Sequence, residues 1–124
     1  YLHERGFTEV IETGDKFIGG AANPYTDHLA ERGLLDAYRA HLAARSYHGE
    51  GERGVNATKQ VAMWDATPSP LPLGDYIDVW HGDAAVRWIE DYSGDRPFFT
   101  FVGFPGPHDP WDAPEDAVRR FGLG

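Results

Sequence analysis

An imidazole, His108, stands in Pro105-Gly106-Pro107-His108-Asp109-Pro110-Trp111, directly after the run Pro97-Phe98-Phe99-Thr100-Phe101-Val102-Gly103-Phe104. Imidazoles titrate close to neutrality, so one held in place can give or take a proton during a reaction. The run before it predicts a strand buried on both faces, as in parallel sheets covered by helices. In such sheets ligands gather outside the carboxyl ends of the strands, and His108 occupies that kind of place. The prolines and Gly106 confine the backbone to extended and turn conformations, leaving the ring little freedom to lose on binding. A proline-rich turn whose histidine merely caps a backbone carbonyl fits the local spacing as well.

Other residue types narrow the chemistry. The chain has no cysteine, which removes a thiol nucleophile, cysteine-type zinc sites and disulfides together. Ser46, Ser69 and Ser93 lie in no Gly-x-Ser-x-Gly elbow. His3, His28, His41, His48 and His81 are scattered without paired ligand spacing and read as surface or capping histidines. With 20 acidic against 11 basic residues and a net charge of -9, the chain repels nucleic acid and anionic membranes. No apolar run is long enough to predict a membrane span. The cellular compartment, cytoplasmic or periplasmic, stays open.

The elements that must position His108 are legible in part. Asn23-Pro24 predicts a helix start, and Leu29, Leu35, Tyr38 and Leu42 recur at helical spacing through Arg45, with Gly33 dividing two helices. Gly6 to Ile11 reads as a short strand. Residues 46–74 are glycine- and proline-rich and predict mostly loop. Asp75 reads as the N-cap of a helix to Tyr92, with Ile77, Trp80, Ala84 and Trp88 on its buried stripe and Asp78 pointing elsewhere. Asp112-Ala113-Pro114-Glu115 fits a capping box, so another helix is expected from near Ala113. A 124-residue chain normally implies one domain. Here a Phe-rich strand has at most one short partner, and exposing each of its rings forgoes roughly 1.5 to 3 kcal/mol. The missing strands are expected outside the chain, which starts at Tyr1 and reads as a piece of something longer.

Asp78-Val79-Trp80, Gly82 through Ile89, Arg96-Pro97-Phe98-Phe99 and Phe104 through Glu115 together resemble the type I sulfatase family of the alkaline-phosphatase superfamily. The resemblance is firm over 71–121 and extends more loosely to Arg5-Gly6-Phe7-Thr8-Glu9-Val10-Ile11 and Tyr25 through Leu35. It implies that residues 1–124 are an internal segment of an α/β sandwich with a mostly parallel central sheet. It implies hydrolysis of a sulfate ester, on a small molecule or a glycan, by a formylglycine made from a Cys/Ser-x-Pro-x-Arg motif beside calcium. His108 matches the family's Pro-His-x-Pro-type loop, whose histidine hydrogen-bonds the ester near the leaving oxygen and helps protonate it. Asp109 orients the loop or a substrate cation, or is a solvated turn residue. Trp111 walls a substrate subsite or covers the core.

The precursor motif, the early paired aspartates and the later metal ligands are absent, so calcium and nucleophile are expected from the remainder of the parent domain. A phosphonate or phosphate ester hydrolase of the same superfamily, or a non-catalytic binding domain retaining the fold, remains the alternative. The chain alone is expected neither to hydrolyse aryl sulfates nor to bind calcium tightly, because a site needs all its ligands and its nucleophile in place. Titration calorimetry with calcium and a chromogenic sulfate assay check this, and turnover that survives purification would contradict it.

Overall fold

A computed structural model of the chain describes residues 2–14, 22–45, 66–109 and 111–122. Helices α1 (Pro24–Glu31) and α2 (Leu35–Arg45) form a hairpin. Asn23 starts it from extended backbone: its side-chain oxygen accepts the Tyr25 and Thr26 amides at 2.9 and 3.0 Å, and Thr26 Oγ1 accepts the Asn23 amide at 2.9 Å. Pro24 takes the first helical position, where a missing amide hydrogen costs nothing. Gly33, at φ 68°, ends α1, and the Gly33 and Leu34 amides donate to the carbonyls of Ala30 and Leu29. That pairing satisfies two carbonyls that the helix end would otherwise leave open.

The inner face of the hairpin, Tyr25, Leu29, Tyr38 and Leu42, is buried in one cluster with Leu71, Tyr76, Ile77 and Trp80. Ile77 and Trp80 open helix α3 (Ile77–Asp91). Tyr25 meets Tyr38 edge-on at 5.6 Å between ring centres and Trp80 at 5.5 Å, geometries aromatic pairs favour. Asp75 is not the N-cap of α3. It ends a 3-10 turn, Leu73–Asp75, and Tyr76 stands at the cap without a side-chain bond. The carboxylate of Asp75, in a residue only 4% exposed, lies 2.6 Å from Arg32 Nε and 2.8 Å from His28 Nε2. Two cationic or polar donors, one on α1 and one at its C-cap, outcompete the amides of α3 for it.

The strands lie elsewhere than expected. β1 (Thr67–Pro68) pairs in parallel with β2 (Asp112–Ala113), Thr67 opposite Asp112. The Thr67 amide donates to Trp111 and the Ser69 amide to Ala113, so Pro68, which has no amide hydrogen, falls where the ladder asks for none. Asp112 therefore belongs to a strand and not to a capping box. The last helix, α4 (Glu115–Arg120), starts two residues later than predicted, with Pro114 at its cap, and buries Val118. Residues 97–104 form no strand, and Phe99 and Phe101 are 78% and 72% exposed. The apolar pattern is present, but among the described residues no strand pairs with it. The arrangement is a mixed one, helices around a small parallel sheet, of α/β type.

Gly6 to Ile11 is not a strand either. The chain turns through a 3-10 helix, His3–Arg5, closes it with Gly6 at φ 92°, and runs along α3, where Glu9 accepts from Trp88 Nε1 at 2.7 Å and Thr13 Oγ1 meets His81 Nε2 at 2.9 Å. Side-chain bonds to a helix have taken the place of a strand ladder. Of the predicted loop 46–74, residues 46–65 lie outside the described part, and the rest holds β1 and the 3-10 turn. Among the described residues no helix is long and apolar enough to cross a membrane.

The core carries a pH dependence. Burial, then the neighbouring Tyr38 and Asp112, pushes the Tyr25 hydroxyl far above its ordinary 10.0, and burial and Asp112 do the same to Tyr76. A phenol that ionises later in the folded state contributes stability that is full below pH 10 and is lost as pH rises beyond it. Denaturant midpoints should therefore hold level up to about pH 9.5 and fall above it. The double variant Tyr25→Phe/Tyr76→Phe should show a shallower fall, and equal slopes would contradict the assignment.

Candidate functional site

The loop that carries His108 is tied to the scaffold at its root. Asp78, in the first turn of α3, accepts the Gly106 amide at 3.0 Å, and the His108 amide donates to Pro105 at 2.9 Å to close the turn. A Cβ at position 106 would collide with the Asp78 carboxylate, so glycine is what permits the approach. Asp78 lies off the buried stripe, as its spacing predicts, and there it faces the loop; its place in the sequence, one turn into a helix and far from Gly106, carries no sign of that partner.

The His108 side chain is 52% exposed, and its Nδ1 lies 2.8 Å from both the backbone oxygen and Oδ1 of Asp109. The Asp109 side chain is the more sheltered of the two, at 20% exposure. His108 forms the shared wall of two surface concavities. One, of about 340 Å³, is lined by Thr13, Gly14, Gly103, Phe104, Pro105 and His108. The other, of about 240 Å³, is lined by Pro107, His108, Trp111 and Asp112. Trp111 is 46% exposed and turns part of its surface to the second concavity beside His108, whereas Asp109 lines neither concavity and meets the ring of His108. An imidazole between two open concavities can bond a group held in either one.

The remaining described histidines serve the scaffold. His3 Nδ1 bonds the Phe7 carbonyl at 3.1 Å, His81 Nδ1 donates to Ile77, and His28 meets Asp75. His41 Nε2 lies 3.7 Å from the buried carboxylate of Asp112, whose backbone oxygen accepts from Tyr76 at 3.0 Å. His48 lies outside the described residues. Among the described residues no group of three or more histidines and carboxylates converges to hold a metal ion.

The chain is similar to a sulfatase. One relative is an arylsulfatase of Klebsiella aerogenes, 25% identical over 118 residues, which cover 95% of this chain and 20% of that enzyme. The chain thus spans about a fifth of that relative's length. No family model matches the chain, and no solved structure does.

Two variants probe the root of the loop. Asp78→Ala should leave helix content unchanged by circular dichroism and make the Gly106 amide exchange faster, because its acceptor is gone. Gly106→Ala should destabilise the chain by about 1 to 3 kcal/mol through overpacking and a displaced hydrogen bond. Retained protection at Gly106 in the first variant would mean that Asp78 does not hold the loop.

Proposed function

We propose that the chain is an internal segment of a sulfatase-like catalytic domain, and that the parent enzyme hydrolyses sulfate esters with His108 as the proton donor to the leaving oxygen. The observation that carries this reading is the placement of His108: an exposed ring on a loop anchored by Asp78, shared by two concavities, with Nδ1 engaged by Asp109. The similarity to an arylsulfatase over 95% of the chain supports it. Breaking the sulfur–oxygen bond sends its electron pair to the organic oxygen, and a proton from the ring stabilises that oxygen as it departs. The sulfuryl group passes to a nucleophilic oxygen. On this reading that oxygen, a formylglycine hydroxyl, and the calcium beside it come from the remainder of the parent domain.

The same reading accounts for the exposed rings. Phe98, Phe99, Phe101 and Phe104, with Val86 and Ile89 on the outer side of α3, are exposed here and would be interior once the rest of a parallel sheet is in place. The 97–104 segment then becomes a central strand of the sandwich, and His108 lies beyond its carboxyl end.

In the full-length enzyme His108→Ala should lower turnover by roughly a hundredfold to ten-thousandfold, the scale of losing a positioned acid. The loss should be larger for an alkyl sulfate than for nitrophenyl sulfate, whose leaving group needs little protonation. Equal losses would leave an electrostatic role in place of proton donation. Wild-type rates on both substrates would remove His108 from the chemistry, and faster turnover of phosphonate than of sulfate esters would move the enzyme to the neighbouring hydrolase class.

A further inference from the structure

Resting on the sulfatase reading of His108, the geometry points to Asp109 as a positioning residue that makes Nε2 the proton-donating nitrogen and favours the cationic ring. The backbone oxygen and Oδ1 of Asp109 both lie 2.8 Å from His108 Nδ1. Both are acceptors only, so a lone pair on Nδ1 would face two oxygens; a hydrogen there bonds the backbone oxygen and faces the carboxylate. Nδ1 therefore keeps its proton throughout, and the proton that moves is the one on Nε2.

The carboxylate adds charge to this orientation. An anion in contact with an imidazole favours the imidazolium. Among the described residues two other acidic groups stand near the loop: Asp78 on α3 holds the Gly106 amide, and Asp112 on β2 lines the second concavity with His108, its carboxylate 3.7 Å from His41 Nε2. On the N-terminal side Thr13 lines the first concavity with its hydroxyl on His81. Asp109 supplies a direct contact at 2.8 Å, and its side chain is more sheltered from solvent than the ring it touches. During the reaction the sulfur–oxygen bond breaks and its electron pair goes to the organic oxygen. That oxygen takes the Nε2 proton, the sulfuryl group joins the nucleophilic oxygen of the parent domain, and His108 ends neutral with Nδ1–H still on Asp109.

The test is the pH profile of kcat in the full-length enzyme, with an alkyl sulfate and with nitrophenyl sulfate. A general acid is lost as pH rises, so its titration forms the alkaline limb. Asp109→Asn keeps an oxygen acceptor and removes the charge. It should move the limb to lower pH by about one unit and slow the alkyl sulfate about tenfold above the limb, with KM nearly unchanged. Asp109→Glu keeps the charge and should leave the limb near its original place. A purely structural role would lower amplitude or raise KM without moving the limb. An unmoved limb in the Asn variant, or equal shifts in the Asn and Glu variants, overturns the role of Asp109. If His108→Ala still collapses turnover in that case, the sulfatase reading stands without it; if His108→Ala keeps wild-type rates, both fall together.

Discussion

The position of α3 rests on the Asp75 carboxylate, buried between His28 of α1 and Arg32 at the C-cap of that helix. The Tyr25 hydroxyl donates to the backbone oxygen of the same residue at 2.8 Å, so both ends of Asp75 are held by one helix. Such a contact adds little net stability, because desolvating the carboxylate offsets much of the attraction. Its effect is on geometry. With Asp75 fixed, Tyr76 must start α3, Ile77 and Trp80 must enter the core, and Asp78 must emerge one turn in, facing Gly106. From α1 to His108 the path therefore runs through two carboxylates three residues apart. Loss of Arg32 and His28 would leave a buried charge uncompensated, and the helix start would have to move to hydrate it.

How much of this was legible follows from the reach of each interaction. Asn23, Pro24 and Gly33 act on amides and carbonyls within a few residues, so their types announce the α1–α2 hairpin. Asp75 and Asp112 have the same type as a cap and stand just before helices, which is why they read as caps. Their actual partners, Arg32 and His28 in one case and Tyr76 and His41 in the other, are tens of residues away. No local pattern distinguishes an aspartate that bonds its own helix from one claimed by another. The loop of His108 was legible because its prolines and glycine act locally. Its anchor at Asp78 was not.

Residues 97–104 mark a different limit. Alternation and apolarity describe what a segment would bury, whereas a strand exists only through hydrogen bonds to a second backbone. Phe98 does find partners, with Trp88 at 5.0 Å and Tyr92 at 4.8 Å between ring centres, and Phe99 lies 6.3 Å from Phe7. These contacts hold the segment beside α3 but cover only part of its rings. The apolar side chains are present and, among the described residues, no ladder accompanies them.

The site divides along the same line between local and distant. Metal binding and nucleophilic attack need groups converging from separate elements, and the described residues bring no such set together. Proton donation needs one ring in a defined tautomer, and that is settled between neighbours in sequence, His108 and Asp109. A contact between adjacent residues pays almost no loop-closure entropy, so the ring orientation does not wait for the rest of a domain to assemble. On the proposed sulfatase reading, the rest of the parent domain must supply the substrate's position relative to Nε2. On that reading the two concavities meeting at His108 leave that nitrogen's surroundings to be completed, while Asp78 holds the root of the loop and Asp109 sets which proton the ring can give.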